Sequence, residues 1–450
     1  MKTMDVFLKD TRGAVMAAVA LSLIGMVGST GLAVDMGRAQ LAQTKLSSAL
    51  DAAGLAAGAS LNTSDAQTEV QRYLDANFRD YMSATITDLD VTVDSSNTTI
   101  TIAASGYIDT TFMNYFGFDH VPISASSEIT RATTGLEVVL ALDNTGSMAG
   151  TKLTALKSAA SDLVEILHGG GNAENLYIGL VPFSQTVNIG TDKTSWVNAG
   201  SFNWGTTSWG GCVDARYTGN DVTDAPPSTE MFTKYYWPDD SNNDWISTRT
   251  RRGVTTTTYT IDSNHGPNLN CPSRLLEMTT DEQSVLDAID AMVADGNTHV
   301  NLGAVWAWRM LSPRWRGLWG HEMDTYDLPL DYNTPKMNKA VVLMTDGENT
   351  MSNSSRSAYW YLSNGRLGTT NSTTAVTNLN TKLTTVCNAM KAQNIIVYTI
   401  AFGNPGTNIE NLLRNCATQA DYYFDSPTGE ELQAAFRSIG DSLSNLRVSR

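Results

Sequence analysis

The stretch Glu137-Val-Val-Leu-Ala-Leu-Asp143 is a short, continuous apolar run, and Lys339-Ala-Val-Val-Leu-Met-Thr-Asp346 repeats the pattern later in the chain. Such runs are typical of strands that are buried on both faces of a parallel sheet. Segments with helical spacing alternate with them, in the order strand 137–142, helix 151–167, strand 176–183, helices 281–294 and 301–311, strand 339–344, helix 375–393, strand 395–402, helix 408–416, strand 422–424 and helix 428–446. This alternation predicts an α/β domain with a doubly wound, mostly parallel sheet over residues 135–450.

Three segments interrupt the alternation, at residues 187–278, 313–336 and 350–373. The first is far longer than an ordinary strand–helix connection. It contains five of the ten tryptophans of the chain, at Trp196, Trp204, Trp209, Trp237 and Trp245. A flexible linker would not have this composition, so we expect an ordered insertion. Its aromatic side chains either form a recognition surface for a partner protein or glycan, or anchor a strand-poor segment on the domain.

A long uncharged segment lies near the N-terminus. Residues 13–34 contain no ionisable side chain, and 22 residues at about 1.5 Å each suffice for a transmembrane helix. Helical spacing continues through residues 35–61 without a proline, which predicts a helical stalk and disfavours a cleaved signal peptide. Small residues such as Gly54 are expected to allow close helix packing on this stalk; the alternative is that the glycines only lower helix stability and have no packing partner. Residues 62–134, with a turn at 94–97, predict a small α+β domain.

The charge of the chain limits its partners and its orientation. Thirty basic and 46 acidic residues give a formal charge of −16, with no block of Lys or Arg. This composition excludes a nucleic-acid partner, because binding to phosphates needs local positive charge. Lys2, Lys9 and Arg12 precede the apolar run, so residues 1–12 are predicted to be a cytoplasmic tip and everything after Asp35 to lie outside the cytosol.

The four cysteines include no closely spaced pair, which disfavours a thiolate zinc site or a redox centre. Disulfides persist outside the cytosol, and four cysteines allow three pairings. We predict Cys212–Cys271 within the long insertion and Cys387–Cys416 between two helices that flank strand 395–402, because each pair lies within one predicted unit. The alternative is four free buried thiols.

The strongest local signal is the loop Asp143-Asn-Thr-Gly-Ser147, which follows the first buried strand and precedes a helix. Ligands bind at this carboxyl edge of open α/β sheets. Asp143, Thr145 and Ser147 alternate, so a tight loop can direct three oxygen atoms to one point, and hard divalent cations prefer oxygen ligands. The same sequence is also a good turn and helix cap. The loop alone therefore leaves both interpretations open.

Two later residues favour the cation site. Asp346 ends the second buried strand, and Thr298 lies in a loop before helix 301–311, where its hydroxyl can reach the same edge of the sheet. With them the set resembles, in order, the metal-ion-dependent adhesion site of the von Willebrand factor A domain, through Asp143, Thr145, Ser147, Thr298 and Asp346. Thr145 stands where that family usually has serine, and it retains a hydroxyl.

The resemblance implies a mode of binding. Hydroxyls of that family contact the cation directly, acidic residues often act through water, and one coordination position stays open for an acidic group of a protein partner. Mg²⁺ is the expected cation, with Mn²⁺ and Ca²⁺ as alternatives. Two carboxylates facing a dication leave room for a third anionic oxygen from outside.

Two further segments resemble TadE/TadG-type proteins of Flp (Tad) pilus assembly. One runs from Arg12 to Gly58, RGAVMAAVALSLIGMVGSTGLAVDMGRAQLAQTKLSSALDAAGLAAG, and the other from Cys387 to Arg447. Ala18 stands where pilins have a glutamate after the cleavage site, so a retained membrane anchor is expected. The resemblance implies a single-pass protein of the bacterial inner membrane that works with pilus-assembly components, with its main domains periplasmic or surface-associated.

Three functions are compatible with these residues. The first is a pilus-assembly or pilus-associated protein that holds a partner through a divalent cation, with an envelope adhesin unrelated to pili as its variant. The second is a metal-dependent hydrolase, which is disfavoured because the chain has neither HExxH nor GxSxG and because His299, beside Thr298, is expected to be structural or surface-exposed. The third is a structural envelope protein that binds no metal. We therefore predict a non-enzymatic role.

Overall fold

The computed structural model describes residues 12–59, 66–78, 81–93, 99–130, 135–169 and 175–447. Apart from Arg12, the predicted cytoplasmic tip lies outside these ranges, as does the turn predicted at 94–97. The chain divides into two compact units, residues 1–132 and residues 133–449, which are described separately.

The described helices are α1 (Arg12–Ala59), α2 (Ala66–Phe78), α3 (Thr151–His168), α4 (Glu282–Asp290), α5 (Val300–Leu311), α6 (His321–Thr325), α7 (Ser372–Ala392), α8 (Thr407–Cys416) and α9 (Gly429–Arg447). The first strands are β1 (Ala84–Val93), β2 (Thr99–Asp109), β3 (His120–Thr130), β4 (Gly135–Asp143), β5 (Leu176–Phe183), β6 (Val187–Asn188) and β7 (Cys212–Val213). The remaining strands are β8 (Ile246–Arg251), β9 (Val254–Tyr259), β10 (Leu276–Thr279), β11 (Met337–Thr345), β12 (Ile396–Phe402) and β13 (Tyr423–Ser426).

Helix α1 is continuous over 48 residues and includes both the predicted membrane segment and the predicted stalk. Among the described residues, Ala18–Ala57 is the one helical segment long and apolar enough to cross a membrane by length and composition. Its N-terminal half exposes large apolar side chains, including Leu21 at 72 % and Met26 at 68 %. Such a surface is stable in hydrocarbon rather than in water, so α1 is a candidate membrane anchor.

The C-terminal half of α1 packs on an antiparallel sheet of order β1-β2-β3 and on α2. Leu46 and Leu50 of α1 are fully buried in the same apolar cluster as Ile100 and Ile102 of β2. A Cβ atom built on Gly54 would lie 2.6 Å from Ile129 Cγ1, so this glycine permits contact between the helix and the sheet. The close packing expected at Gly54 is therefore present, and the partner is a sheet rather than a second helix.

The second unit contains an eight-stranded sheet of order β13-β12-β11-β4-β5-β6-β7, with β10 also paired to β5. Strands β4, β5, β11, β12 and β13 are mutually parallel, whereas β6, β7 and β10 are antiparallel additions. Helices cover both faces of this sheet. The predicted fold class, a doubly wound and mostly parallel α/β domain, is confirmed.

The apolar run of β4 supplies both cores of this unit. Val138, Leu140 and Leu142 pack in one core with α3, α4 and α9. Val139 and Ala141 pack in the other core with α5, α7 and α8. Because successive strand residues point to opposite faces, a strand between two helical layers is apolar on both faces, as residues 138–142 of β4 are.

The insertion after β5 is ordered and attached through its aromatic residues. Four of its five tryptophans are buried, namely Trp196, Trp209, Trp237 and Trp245. The Trp196 ring lies 6.5 Å from that of Trp306 in α5, and it meets Trp315 and Trp319 edge-on at 5.1 and 5.0 Å between centroids. These side chains anchor the insertion on the domain, which leaves the buried ones unavailable as a recognition surface.

Both disulfide bonds of the structure have the pairing expected from the sequence. Cys212 of β7 is bonded to Cys271, with a Cα–Cα distance of 5.8 Å. Cys387 of α7 is bonded to Cys416 at the end of α8, with a Cα–Cα distance of 5.2 Å. The first bond closes the insertion, and the second joins two helices on one face of the sheet.

Replacing Gly54 by alanine is expected to lower the free energy of unfolding of the first unit by about 1–3 kcal/mol. The reason is that the added methyl group overlaps Ile129 and forces the sheet away from the helix. Gly37→Ala is the matched control, since no described atom lies within 4 Å of its Cβ position. Hydrogen–deuterium exchange of peptides from β2 and β3 is the measurement. Equal exchange in the two variants would contradict the close contact at Gly54.

Candidate metal centre

The five predicted ligand residues converge at the carboxyl edge of the central strands. Asp143 is the last residue of β4, and Asp346 directly follows β11, its parallel neighbour. Thr145 and Ser147 lie in the loop between β4 and α3. Thr298 precedes α5, two residues before its first turn.

Hydrogen bonds join four of these residues into one cluster. Ser147 Oγ donates to Asp346 Oδ1 at 2.6 Å and lies 3.0 Å from Thr145 Oγ1. The backbone N–H of Thr145 donates to Asp143 Oδ1 at 2.8 Å. Thr345 Oγ1 donates to Asp143 Oδ2 at 2.5 Å. The carboxylate of Asp143 is therefore held from both sides.

The loop that carries Thr298 is attached to the same edge. Gly146 N–H donates to Gly296 O at 2.9 Å, and Asp295 N–H donates to Asn144 O at 2.8 Å. A Cβ atom on Gly347 would lie 3.8 Å from Thr298 Oγ1 and 3.9 Å from Ser147 Oγ. Both hydroxyls thus lie beside Gly347, and the structure brings all five predicted residues together.

The ionised form of Asp143 is unfavourable in this cluster. This carboxyl group is completely buried, and desolvation together with the charge of Asp346 raises its pKa to about 6. Two acidic groups and three hydroxyl oxygens, four of them on buried residues and one on the exposed Ser147, form an oxygen donor set that suits a hard divalent cation. A dication would relieve both the desolvation and the mutual repulsion of the carboxylates. The residues present therefore fit the predicted cation.

Lys152, in the first turn of α3, is a site residue that sequence reasoning missed. Its Nζ lies 2.6 Å from Asp346 Oδ2, so an ammonium group supplies positive charge at the edge of the cluster. The Lys152 side chain is 35 % exposed and can turn toward solvent. A helix that begins directly after a ligand loop points its first turn at that loop, and this is the signal that could have identified Lys152.

His299 is a buried neighbour of Thr298 rather than part of the hydroxyl–carboxylate cluster. Its ring stacks on Tyr359 at 5.8 Å, and neither ring nitrogen has a hydrogen-bond partner among the described residues. Burial lowers the pKa of His299 to about 4, so the ring is neutral at pH 7. This environment agrees with the structural role expected for it.

A second acidic cluster lies at Asp192, Glu277 and His321, whose potential ligand atoms are within 4.8 Å of one another. Both carboxylates already have cationic partners. Lys193 Nζ lies 3.0 Å from Glu277 Oε1, and Arg274 Nη1 lies 2.9 Å from Asp192 Oδ1. A cation at this cluster would have to displace the cationic partners of both carboxylates, whereas at the cluster around Asp143 it would displace only Lys152 from Asp346.

Residues 13–60 match the family described as "Putative Flp pilus-assembly TadE/G-like", which confirms the resemblance of this segment. No curated protein sequence matches the chain. Among solved structures, the von Willebrand factor domain of the type V pili tip protein Mfa5 from Porphyromonas gingivalis is 12 % identical, with a TM-score of 0.38, and the match covers 71 % of this chain and 97 % of that one.

Two other solved structures are similar at the same distant level. The pilus adhesin SpaC from Lactobacillus rhamnosus GG has 10 % identity and a TM-score of 0.36, over 80 % of this chain and 34 % of that one. Proximal thread matrix protein 1 from the mussel byssus, in a form with a zinc-occupied MIDAS motif, has 10 % identity and a TM-score of 0.32, over 70 % of this chain and 47 % of that one.

The variant Asp143→Asn is expected to stabilise the metal-free second unit by about 1–2 kcal/mol at pH 7, because it removes a charge whose burial destabilises the folded state. The raised pKa fixes the sign: the folded state binds the proton more tightly, so the gain is full above pH 6 and disappears below about pH 4. All ten tryptophans lie in this unit, so tryptophan fluorescence during denaturation in chelator reports on it. If Asp143→Asn were less stable than the parent chain at pH 7, the destabilising effect assigned to the buried charge would be contradicted.

The variant Lys152→Met is expected to bind Mg²⁺ more tightly, by roughly tenfold or about 1.4 kcal/mol, because the ammonium group no longer competes for Asp346. Lys157→Met is the control on the same helix, since Lys157 contacts Asp290 and not the cluster. Isothermal titration calorimetry measures both. Weaker binding by Lys152→Met would instead make the lysine a supporting residue.

Proposed function

We propose that the protein is a membrane-anchored component of Flp (Tad) pilus assembly, or of the pilus itself, that holds a partner protein through a divalent cation. The observation that supports this most strongly is the hydrogen-bonded cluster in which the exposed Ser147 joins the buried Thr145 to the buried Asp346, beside the buried carboxylate of Asp143. The family match of residues 13–60 supports the connection to pili.

The membrane part of the proposal depends on α1. In this arrangement residues 13–34 span the bacterial inner membrane, residues 1–12 are cytoplasmic, and the stalk (35–61), the small α+β domain (62–134) and the α/β domain (135–450) lie in the periplasm or on the cell surface. The uncharged run and its preceding basic residues support this orientation. Two disulfide bonds also fit an oxidising compartment.

The proposed site holds the cation through the hydroxyls of Thr145, Ser147 and Thr298 and the carboxylates of Asp143 and Asp346. Mg²⁺ is favoured because all five side chains supply oxygen. When bound, the cation offers a positive centre for an acidic group of the partner. The ammonium group of Lys152 moves away from Asp346 when the cation binds, since the ammonium group and the cation compete for the same carboxylate.

A hydrolytic role has no comparable support. A metal hydrolase needs a group that can take a proton near pH 7 beside the metal-bound water. His299 is stacked on Tyr359 in a fully buried position, and its lowered pKa makes it a poor base. We therefore propose adhesion rather than catalysis. An envelope adhesin unrelated to pili would use the same site and is distinguished by the second experiment below.

Ser147→Ala is expected to weaken Mg²⁺ binding by the full chain at least about tenfold, because it removes a hydroxyl ligand and the hydrogen bond that positions Asp346. Ser352→Ala is the control, since the Ser352 hydroxyl contacts Ser354 and no ligand residue. Calorimetry with Mg²⁺, Mn²⁺ and Ca²⁺ compares the three proteins. Unchanged affinity in Ser147→Ala would show that the site is misassigned.

The same pair of variants tests the connection to pili. A strain lacking the protein is complemented with the parent chain, Ser147→Ala or Ser352→Ala, and surface pili are counted by electron microscopy at equal protein levels. We expect pili with the parent chain and the control, and few with Ser147→Ala. Normal piliation in the strain without the protein would instead favour the envelope adhesin.

A further inference from the structure

The connection between β2 and β3 exposes a group of aromatic side chains. Residues 110–118, Thr-Thr-Phe-Met-Asn-Tyr-Phe-Gly-Phe, carry no charge. Four rings of this loop are exposed in the structure: Phe112 at 41 %, Tyr115 at 89 %, Phe116 at 49 % and Phe118 at 61 %. Single exposed apolar residues are ordinary, but a contiguous group of this size marks a surface that meets an apolar partner.

The loop is attached to α1 by one buried carboxylate. Asp35 is only 2 % exposed and is the first ionisable residue after the uncharged run of α1. Its two oxygens accept three backbone hydrogen bonds, from Thr111 at 2.9 Å, Phe112 at 2.9 Å and Met113 at 2.8 Å. Hydrogen bonds to an ionised acceptor are strong, so the position of the loop along the helix is well defined.

Two rings of the loop lie against glycines of the uncharged run. A Cβ atom on Gly31 would lie 2.5 Å from Cβ of Phe112, and a Cβ atom on Gly28 would lie 3.3 Å from Cζ of Phe116. The aromatic loop therefore runs beside residues 28–31 of α1. Whatever surrounds this part of the helix also surrounds the loop.

The length of the uncharged run determines which residues of α1 must lie in the bilayer. Residues 13–27 alone would form about 22 Å of helix, which is too short for a hydrocarbon core of about 30 Å. Residues 13–34 form about 33 Å, which is sufficient. A helix that spans the bilayer must therefore use residues 28–34, and the rings packed on them enter the membrane with it.

We propose that residues 112–118 are a membrane-docking loop whose aromatic side chains insert into the interfacial layer of the leaflet from which α1 emerges. This inference rests on the proposed membrane anchoring of α1. The residue types suit the position, because aromatic rings are enriched at the headgroup level, where the Tyr115 hydroxyl can stay hydrated. The loop and the helix then hold the three-stranded sheet directly on the bilayer rather than at the end of a free stalk.

Spin labels on single introduced cysteines test the proposal in the full chain, because all four native cysteines are in disulfide bonds. Tyr115→Cys and Phe118→Cys report on the loop, and Leu21→Cys reports on the exposed part of α1. Thr101→Cys is the matched control on β2, at an exposed position eight residues from Asp109, or about 27 Å along the strand. The labelled chains are reconstituted in vesicles of phosphatidylethanolamine and phosphatidylglycerol.

Collisions with oxygen and with a nickel chelate distinguish lipid from water, because oxygen concentrates in the bilayer and the polar chelate is excluded. Labels at positions 21, 115 and 118 are expected to favour oxygen, with nickel collisions roughly tenfold lower than at position 101. A label at 115 that collides freely with nickel overturns the docking loop, provided that the label at 21 still favours oxygen. Low collision rates with both reagents at 115 identify a protein contact and also overturn it.

The label at position 21 separates this inference from the proposed anchoring. If that label collides freely with nickel, α1 does not span the bilayer, and both the anchor and the docking loop are wrong. If it favours oxygen while the labels at 115 and 118 do not, the anchor stands and only the loop proposal fails.

Discussion

The buried ion pair between Glu137 and Lys339 sets the register of the central strands, and the candidate site depends on that register. An apolar strand covered on both faces can slip along its neighbour without exposing a polar side chain, so hydrophobicity alone specifies its register weakly. Glu137 and Lys339 are paired directly across β4 and β11 and form an ion pair in the core. Burial raises the pKa of Glu137 and lowers that of Lys339, so any slip that separated them would leave isolated charges in the core.

With this register, the two strands end together. Met344 pairs with Leu142, so Thr345 and Asp143 reach the edge of the sheet at the same level. The hydroxyl of Thr345 then meets the Asp143 carboxylate, and Asp346 follows one residue later. The pairing of β4 with β11 that builds the core thus also assembles the site. The unfavourable negative charge of the site lies only at the edge of the sheet, where Lys152 compensates part of it.

Much of this arrangement could be predicted because it follows from local patterns. Residues 138–142 and 340–344 are apolar throughout, and the five ligand residues lie at or after strand ends or precede a helix, so their convergence follows from the topology. The features that were not predicted depend on contacts between distant segments. Lys152 meets Asp346 across 194 residues of sequence. Asp35 meets the aromatic loop across 76 to 78 residues, and no local pattern of the sequence indicates that these two segments are in contact.

The two disulfide bonds also have a mechanical meaning. They span 59 and 29 residues of sequence. A fully extended chain covers about 3.4 Å per residue, so roughly 300 Å of chain between the bonded cysteines cannot be extended by a pulling force while the two bonds are intact. Tension applied across the second unit can detach the insertion or separate helices, but it cannot draw these segments out into an extended strand. A chain under load between a membrane and a partner would therefore resist stretching covalently both in the strand-poor insertion and between α7 and α8.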